Sequence, residues 1–261
     1  MDAAVRVARP ARRRPPLGWV PNQHGAWAML VLPPLVGALR GDPRWVHLWL
    51  LAAWLIAYLA FQATALWLRS ARKPRYRPPV LVYGAAAGVV GGTLLLADPR
   101  LLRWTVLYAP LLAVSLWFSA RRAERALAND VVTIVAASLM AVVAYGLSDD
   151  DGAWLPGAGS PTAWVLAAAV LAYLLGTAFY VKTMIRERGN VAMYRWSVGY
   201  HVAVALAFTP VPAVAGFLWL MTARAVVVPR VWPRARPMPI GLGEVAASVL
   251  LGVLLLVVPL G

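Results

Sequence analysis

The 261-residue sequence contains no cysteine and little acidic charge. Without thiols, disulfides, thiolate nucleophiles, iron–sulfur clusters and cysteine-ligated metal sites are all excluded. Asp and Glu number 10 against 25 Lys and Arg, and charged residues make up only 13% of the chain. Hydrophobic residues reach 61%. Because this fraction far exceeds what one water-soluble core needs, water is not the main solvent of the protein.

The first 20 residues differ in composition from the rest of the chain. Residues 1–16 are rich in Arg and Pro, and the apolar stretch that follows lacks a small-residue cleavage site. This pattern does not indicate a cleavable signal peptide. We therefore predict a disordered, basic cytoplasmic tail over residues 1–20 and a single transmembrane helical domain over residues 21–261.

Apolar runs long enough for a bilayer recur along the chain, since a spanning helix needs about 20 residues at 1.5 Å each. Short polar segments with Pro or Gly separate them. The fold class is therefore all-α, a polytopic helix bundle of nine spans. The predicted spans are residues 25–39, 45–68, 79–97, 101–120, 126–146, 162–185, 194–209, 211–228 and 242–260. The first, seventh and eighth are short, so a tilted or broken helix is an alternative at each of them.

The distribution of basic residues predicts the orientation of these spans. With nine spans, 21 of the 25 Lys and Arg fall in the tail and in the even-numbered loops. The other four are Arg40, Arg44, Arg100 and Arg103. Since Lys and Arg collect in cytoplasmic loops, we predict a cytoplasmic N-terminus and an outside C-terminus in the cell membrane. The net charge of +15 does not indicate nucleic-acid binding, because it is divided among short loops.

Small residues concentrate in the third span. Gly84 and Gly88 have GxxxG spacing, and Gly91 and Gly92 follow. This spacing allows two helices to approach closely. We therefore predict that the third span is the most buried helix of the bundle.

A first polar group lies where the chain enters the membrane, and it comprises Asn22, Gln23 and His24. The neutral imidazole of His24 can titrate near pH 7, so a ligand or proton role is one interpretation. A capped helix entry without further function is the other. Pro33 and Pro34 then free backbone carbonyls within the first span. A broken helix that lines a polar cavity would satisfy them.

Two further polar groups lie at predicted cytoplasmic span ends. Arg122, Arg125 and Asn129 are about one helical turn apart, and Asp130 enters the apolar region next. An arginine–carboxylate pair between spans is one role for this group, and a chemical role is the alternative. The third group combines cations, an amide and a histidine within the sixth loop and the seventh span. Its members are Lys182, Arg186, Arg188, Asn190 and His201.

Together, the cations at the span ends suit a phosphate, a diphosphate or an anionic lipid headgroup. For any single one of them, setting the topology is the alternative role. The sequence shows no nucleotide, haem or zinc motif, and its three histidines form no metal-binding pattern. We therefore predict no metal site and no cofactor, and we assign no catalytic residue.

Residues 21–30, with Pro33, Pro34 and Gly37, resemble the opening of the YwiC-like family of bacterial membrane proteins. The resemblance extends across most of the chain, through residues 125–130 and 182–201. It implies a membrane protein and no particular reaction.

A more distant resemblance is to the UbiA-type intramembrane prenyltransferases. Those enzymes have nine helices with an inside N-terminus, and Asp-rich motifs in two cytoplasmic loops hold Mg²⁺ against a prenyl diphosphate. In this chain, residues 61–77 contain no acidic residue, and residues 182–190 contain only Glu187. The resemblance therefore implies a relative that uses arginines instead, or one that has lost the transferase chemistry.

Three hypotheses follow for the function. The leading one is a cytoplasm-facing polar cavity that binds an anionic, isoprenoid or quinone-like small molecule. The second is a proton-coupled transporter that uses Asp130, His201 and Glu244. The third is an accessory membrane protein of a respiratory or biosynthetic complex. The lipid bilayer is the one partner that all three share.

Overall fold

The computed structural model describes residues 18–20, 26–148 and 151–260. Within these ranges the chain forms nine α-helices and no β-strand, which confirms the all-α class. The helices are α1 (Ala26–Arg40), α2 (Trp45–Arg69), α3 (Arg77–Ala97), α4 (Thr105–Ala120), α5 (Leu127–Gly146), α6 (Pro161–Val181), α7 (Val191–Ala207), α8 (Pro212–Val231) and α9 (Pro237–Val257). They coincide in order with the nine predicted spans.

Seven of these helices are long and apolar enough to cross a membrane, judged by length and composition. They are α2, α3, α4, α5, α6, α8 and α9. The other two are shorter, with 15 residues in α1 and 17 in α7. The protein is therefore a multi-pass helical membrane protein. Its orientation stays a prediction.

Proline and polar caps determine where several helices begin. Proline occupies the first turn of α3, α6, α8 and α9, where its missing N–H costs no hydrogen bond. Ser160 caps α6 by accepting a hydrogen bond from the backbone N–H of Ala163. Asn190 caps α7 in the same way through the N–H of Met193. These residues make the interhelical connections short and the helix ends well defined.

The two prolines of α1 do not break it, so the expectation of a broken first helix is wrong. Pro34 removes the N–H that would bond to the carbonyl of Leu30, four residues earlier. The indole N–H of Trp54, on α2, donates to that carbonyl at 3.1 Å. A neighbouring helix therefore satisfies the freed backbone group, and α1 continues.

Helices α1 and α5 pack closely against each other. A Cβ atom at Gly37 would lie 2.2 Å from the carbonyl oxygen of Ala141, so only glycine fits there. Ala141 and its neighbour Val142 are fully buried. Helices α5 and α6 are also the most buried of the seven candidate spans, and they form the centre of the bundle with α1.

The prediction that the third span is the most buried helix is wrong. Only 6% of the apolar window that contains α3 is buried, the lowest share among the seven candidate spans. A Cβ added at Gly84, Gly88, Gly91 or Gly92 would meet nothing within 4 Å. Hydrocarbon accepts small and large apolar side chains alike, so a glycine stripe permits helix packing without causing it.

Candidate functional site

A large cavity of about 1940 Å³ lies between six helices. Its walls come from α1, α2, α4, α5, α6 and α9. Most of the wall is apolar, with Leu30, Trp54, Tyr108 and Val249 among the lining residues. Ligand pockets usually measure about 300–1,000 Å³, so this cavity has room for a molecule with a long tail.

Seven basic side chains line one end of this cavity, which we call the basic mouth. They lie at the C-terminal end of α2 and in the loop after it, in the α4–α5 loop, and in the single π-helical turn that follows α6. They are Arg69, Lys73, Arg75, Arg122, Arg125, Lys182 and Arg186. The fold thus brings together cations from three separate segments of the chain.

Two ion pairs connect the segments of the basic mouth. The ammonium group of Lys182 lies 2.8 Å from a carboxylate oxygen of Asp130, which connects the turn after α6 to α5. The same ammonium donates to the carbonyl of Arg125 at 2.8 Å. Arg69 pairs with Glu124, which connects α2 to the α4–α5 loop. The carboxylates of the mouth are therefore already paired with cations of the mouth.

The charge of Glu124 is stabilised by its surroundings. Burial raises the pKa of this carboxyl, but the hydrogen bond and positive charge of Arg69, with the charge of Arg125, lower it overall. Glu124 is therefore ionised at neutral pH. Its negative charge keeps Arg69 in place at the edge of the cavity.

Local backbone geometry turns these cations toward one another. Arg122 has a positive φ of 56°, which ends α4 in a tight turn, and its guanidinium donates to the carbonyl of Arg69 at 3.2 Å. After α6, the N–H of Glu187 bonds to the carbonyl of Lys182 at 2.8 Å in the π-helical turn. Lys182 and Arg186 both line the cavity as a result.

Asn129 has a structural position within the lining. Its side-chain oxygen accepts a hydrogen bond from Ser115 on α4 at 2.8 Å, and its amide donates to the carbonyl of Glu124 at 2.9 Å. Both the oxygen and the NH₂ group of this side chain therefore already bond to the protein. Asn129 positions the α4–α5 loop and with it the neighbouring cations.

Arg188, Asn190 and His201 do not line the cavity. The guanidinium of Arg188 donates to the carbonyls of Met184 and Ala235, and Asn190 caps α7. His201 is buried, with Nδ1 lying 2.7 Å from the carbonyl of Ser197. Because a carbonyl only accepts, Nδ1 carries the hydrogen. The geometry gives these three residues roles at helix ends and in helix packing.

The first polar group, Asn22, Gln23 and His24, lies outside the described residues. Within residues 26–148 and 151–260, no three His, Asp or Glu side chains are grouped so that they could hold a metal ion. The candidate site therefore consists of the cavity and its basic mouth.

A second polar cluster was missed by sequence reasoning, and we call it the Glu244 cluster. It comprises Tyr173 and Thr177 on α6, Arg224 on α8, and Glu244 and Ser248 on α9. Thr177 donates to Glu244 at 2.7 Å, Tyr173 contacts the same carboxylate at 3.2 Å, and Arg224 forms an ion pair with it. The sequence analysis places Glu244 in a proton path but predicts no partner for it.

Arg224 is one of the 21 basic residues that the orientation analysis assigns to the tail and the even-numbered loops, but it lies inside α8. A signal for the pair was present in the sequence. Arg224 lies seven residues before the end of α8 at Val231, and Glu244 lies seven residues after the start of α9 at Pro237. Opposite charges at equal depth in two consecutive antiparallel helices are placed to pair.

Comparisons with known proteins support one family. Residues 20–145 match the model of the YwiC-like protein family. The chain is 34% identical over 185 residues to the uncharacterised protein YwiC of Bacillus subtilis strain 168, an alignment that covers 70% of this chain and 74% of that protein. It is 31% identical over 251 residues to an uncharacterised protein of Haemophilus influenzae strain Rd, covering 92% and 98% respectively. No solved structure matches the chain.

Proposed function

The chain belongs to the YwiC-like family, and we propose that it binds an amphipathic anion with an isoprenoid or quinone-like tail in its large cavity. The anionic group lies at the basic mouth, and the tail fills the apolar part. One observation supports this most directly: a cavity of about 1940 Å³ is lined by seven cations at one end and mostly by apolar residues elsewhere. Catalysis is not part of the proposal.

The charge balance of the mouth favours an anionic ligand. Glu124 and Asp130 each form an ion pair with one cation of the mouth. The side chains of Lys73 and Arg186 line the cavity but form no hydrogen bond or ion pair with any described residue. Because guanidinium and ammonium groups bind phosphate oxygens strongly, a phosphate-bearing headgroup suits this surplus of positive charge.

The apolar wall favours entry from the bilayer. Val245, Val249 and Val253 recur every four residues on one face of α9, and each both lines the cavity and is exposed at the surface. On α1, Leu35 does the same. A cavity whose apolar lining continues onto the outer surface of a membrane helix is open to hydrocarbon. A lipid-like ligand can therefore enter sideways without crossing water.

The mouth faces the cytoplasm in this proposal, and the protein lies in the cell membrane. All seven cations of the mouth belong to the segments that the positive-inside rule assigns to the cytoplasmic side. The anionic ligand is then supplied from the cytoplasmic leaflet or made by a cytoplasmic enzyme.

Binding of farnesyl diphosphate to the purified protein in detergent tests the proposal. Farnesol lacks the anion and inorganic diphosphate lacks the tail, so both are expected to bind at least tenfold more weakly. Arg186→Ala should weaken farnesyl diphosphate binding by about tenfold or more, because a hydrogen bond to a charged group is lost. Arg195→Ala is the matched control, since Arg195 is an exposed arginine of α7 outside the cavity lining.

Two results would contradict the proposal. One is the absence of farnesyl diphosphate binding by the wild-type protein. The other is wild-type affinity in Arg186→Ala, which would show that the mouth does not contact the anion.

A second candidate function is proton-coupled transport, because Asp130 and Glu244 both line the same cavity. The third member of the proposed path, His201, lies outside the lining. Substrate flux in proteoliposomes that is lost in Asp130→Asn, while farnesyl diphosphate binding persists, would favour transport of the bound molecule. The role of an accessory protein predicts instead that a stable partner co-purifies from membranes.

A further inference from the structure

The Glu244 cluster places a charged group in an otherwise apolar part of the cavity wall. Glu244, Thr177 and Ser248 are lining residues, and their neighbours in the lining include Leu174 and Val249. Arg224 is not among the lining residues and approaches Glu244 from α8. The cluster therefore exposes to the cavity the carboxylate of Glu244 and the hydroxyl groups of Thr177 and Ser248.

The Glu244 cluster lies deeper in the cavity than the basic mouth does. Thr177 precedes Lys182 by five residues, which corresponds to about 7–8 Å at 1.5 Å per residue. Glu244 lies seven residues inside α9, or about 10 Å from its start. A ligand whose anion contacts Lys182 and Arg186 therefore passes the cluster with the first part of its tail.

The carboxylate of Glu244 can accept at least one hydrogen bond beyond those that it receives from the protein. Arg224 and Thr177 donate to its two carboxylate oxygens, and the single hydroxyl hydrogen of Tyr173 is shared among Glu244 and Ser248 acceptors. Donors on α6 and α8 therefore surround the carboxylate. A carboxylate offers about four lone-pair sites, so at least one remains for a further donor.

Joining helices is not a sufficient reason for this cluster. Apolar residues of similar volume hold helices together as well as a buried ion pair does, without the cost of desolvating two charges. An ionisable group facing a cavity within the membrane is instead a candidate for recognising a ligand. A plain hydrocarbon tail beside Glu244 would remove water from the carboxylate and give nothing in return.

We propose that Glu244 recognises a hydrogen-bond donor, such as a hydroxyl or phenol group, in the upper tail of the ligand. Thr177, Tyr173 and Arg224 are positioning residues that orient the carboxylate. This inference rests on the proposed function, because the anion at the basic mouth sets the depth of the tail. It narrows the ligand class to amphipathic anions that carry a donor several bonds from the anionic group.

Two probes differing by one hydroxyl test the inference. Hexadecyl phosphate has a plain tail, and 6-hydroxyhexadecyl phosphate carries a donor at the depth of the cluster. Their affinities are measured by competition in detergent with the full-length protein. The wild-type protein should prefer the hydroxylated probe by about tenfold, the gain expected from a hydrogen bond to a charged acceptor.

Variants connect this preference to Glu244. Glu244→Gln should reduce the preference for the hydroxylated probe to about twofold or less while retaining binding of hexadecyl phosphate. The double variant Arg224→Leu with Glu244→Leu removes both charges together and avoids an unpaired buried charge, so it serves if Glu244→Gln does not fold. Thr64→Val is the matched control, because Thr64 bonds to its own helix and lies outside the cavity lining.

The possible outcomes separate the two proposals. If the wild-type protein binds both probes equally, the Glu244 inference is wrong and the proposed function stands. A preference that survives in Glu244→Gln and in the double variant also overturns the inference. If neither probe binds but farnesyl diphosphate does, the inference is wrong and the proposed function stands. If none of the three molecules binds, both are wrong.

Discussion

Gly37 in α1 and Gly41 directly after it have GxxxG spacing, as Gly84 and Gly88 in α3 do, but the two pairs have opposite environments. A Cβ at Gly37 would collide with the backbone of Ala141, and one at Gly41 would collide with the side chain of Ser148. In α3, Gly84 and Gly88 have open space around them. The difference shows that small residues in a membrane helix permit close packing and do not identify a buried helix.

The two sides of the bundle also hold their charges differently. On the side of α6, α8 and α9, Arg224 and Glu244 pair within the helices, with side chains that are only 17% and 12% exposed. On the side of α2 and α4, Arg69 and Glu124 pair at the helix ends, and the arginine is 44% exposed. Solvent screens the second pair and not the first, so the same chemical contact should have different effects on stability.

The largest effect is expected from Arg224→Ala, which leaves the Glu244 carboxylate without its cation within the helices. Removing one partner of a buried pair costs about 3–5 kcal/mol. Thermal unfolding in detergent should show a large fall in Tm. Arg230→Ala is the control, because Arg230 stacks on Tyr194 near the end of α8 and has no acidic partner in the described chain. Equal Tm values for the two variants would contradict a structural role of the pair.

Gly37→Ala should have the next largest effect. The new methyl group would lie 2.2 Å from the Ala141 oxygen, so α1 and α5 must separate. Overpacking of this kind costs about 1–3 kcal/mol. The measurement is again unfolding in detergent, and a variant as stable as the wild-type protein would contradict the close α1–α5 contact.

Gly84→Ala should have a smaller effect of the opposite sign. Nothing lies within 4 Å of the added Cβ, and alanine is favoured over glycine in a helix interior by about 0.5–1 kcal/mol. The same unfolding assay should show unchanged or slightly higher stability. A destabilised Gly84→Ala protein would mean that α3 packs against another molecule in detergent, and the contrast with α1 would then fail.

The smallest effect on stability is expected from the ion pair between Arg69 and Glu124 at the basic mouth, because its arginine is exposed. Burial raises the pKa of Glu124, but the hydrogen bond and the positive charge of Arg69 lower it further than burial raises it. The pKa of Glu124 is therefore below its ordinary value of 4.5. Its contribution to stability is therefore present above pH 4.5 and is lost as the pH falls through the lowered pKa. Since the partner is exposed, the contribution is below about 1 kcal/mol.

Glu124→Gln should remove this part of the acid sensitivity. The test is to measure the fall in Tm from pH 6 to pH 3 for the wild-type protein and for Glu124→Gln. The variant should lose less stability on acidification than the wild-type protein, and an identical loss would contradict the role of the pair.

Much of the candidate site could be predicted from local signals. Lys182 and Arg186 are four residues apart at the end of an apolar run, and Arg122 and Arg125 lie at the start of another, so both pairs had to lie near a membrane surface. What could not be predicted is that Arg69 and its neighbours join them around one cavity. That meeting depends on which helices are neighbours, and hydropathy carries no such information.

The amino-acid sequence was sufficient for the class of the protein, for nine helices and for the segments that carry the cations. These properties follow from the length of apolar runs, the rise of a helix and the places where proline can begin one. The tertiary structure alone decided that α3 is exposed, that Trp54 satisfies the carbonyl freed by Pro34, and that Arg224 meets Glu244. Contacts of this kind join residues far apart in the chain, and inside a bilayer the apolar pattern is the same on buried and lipid-facing helices.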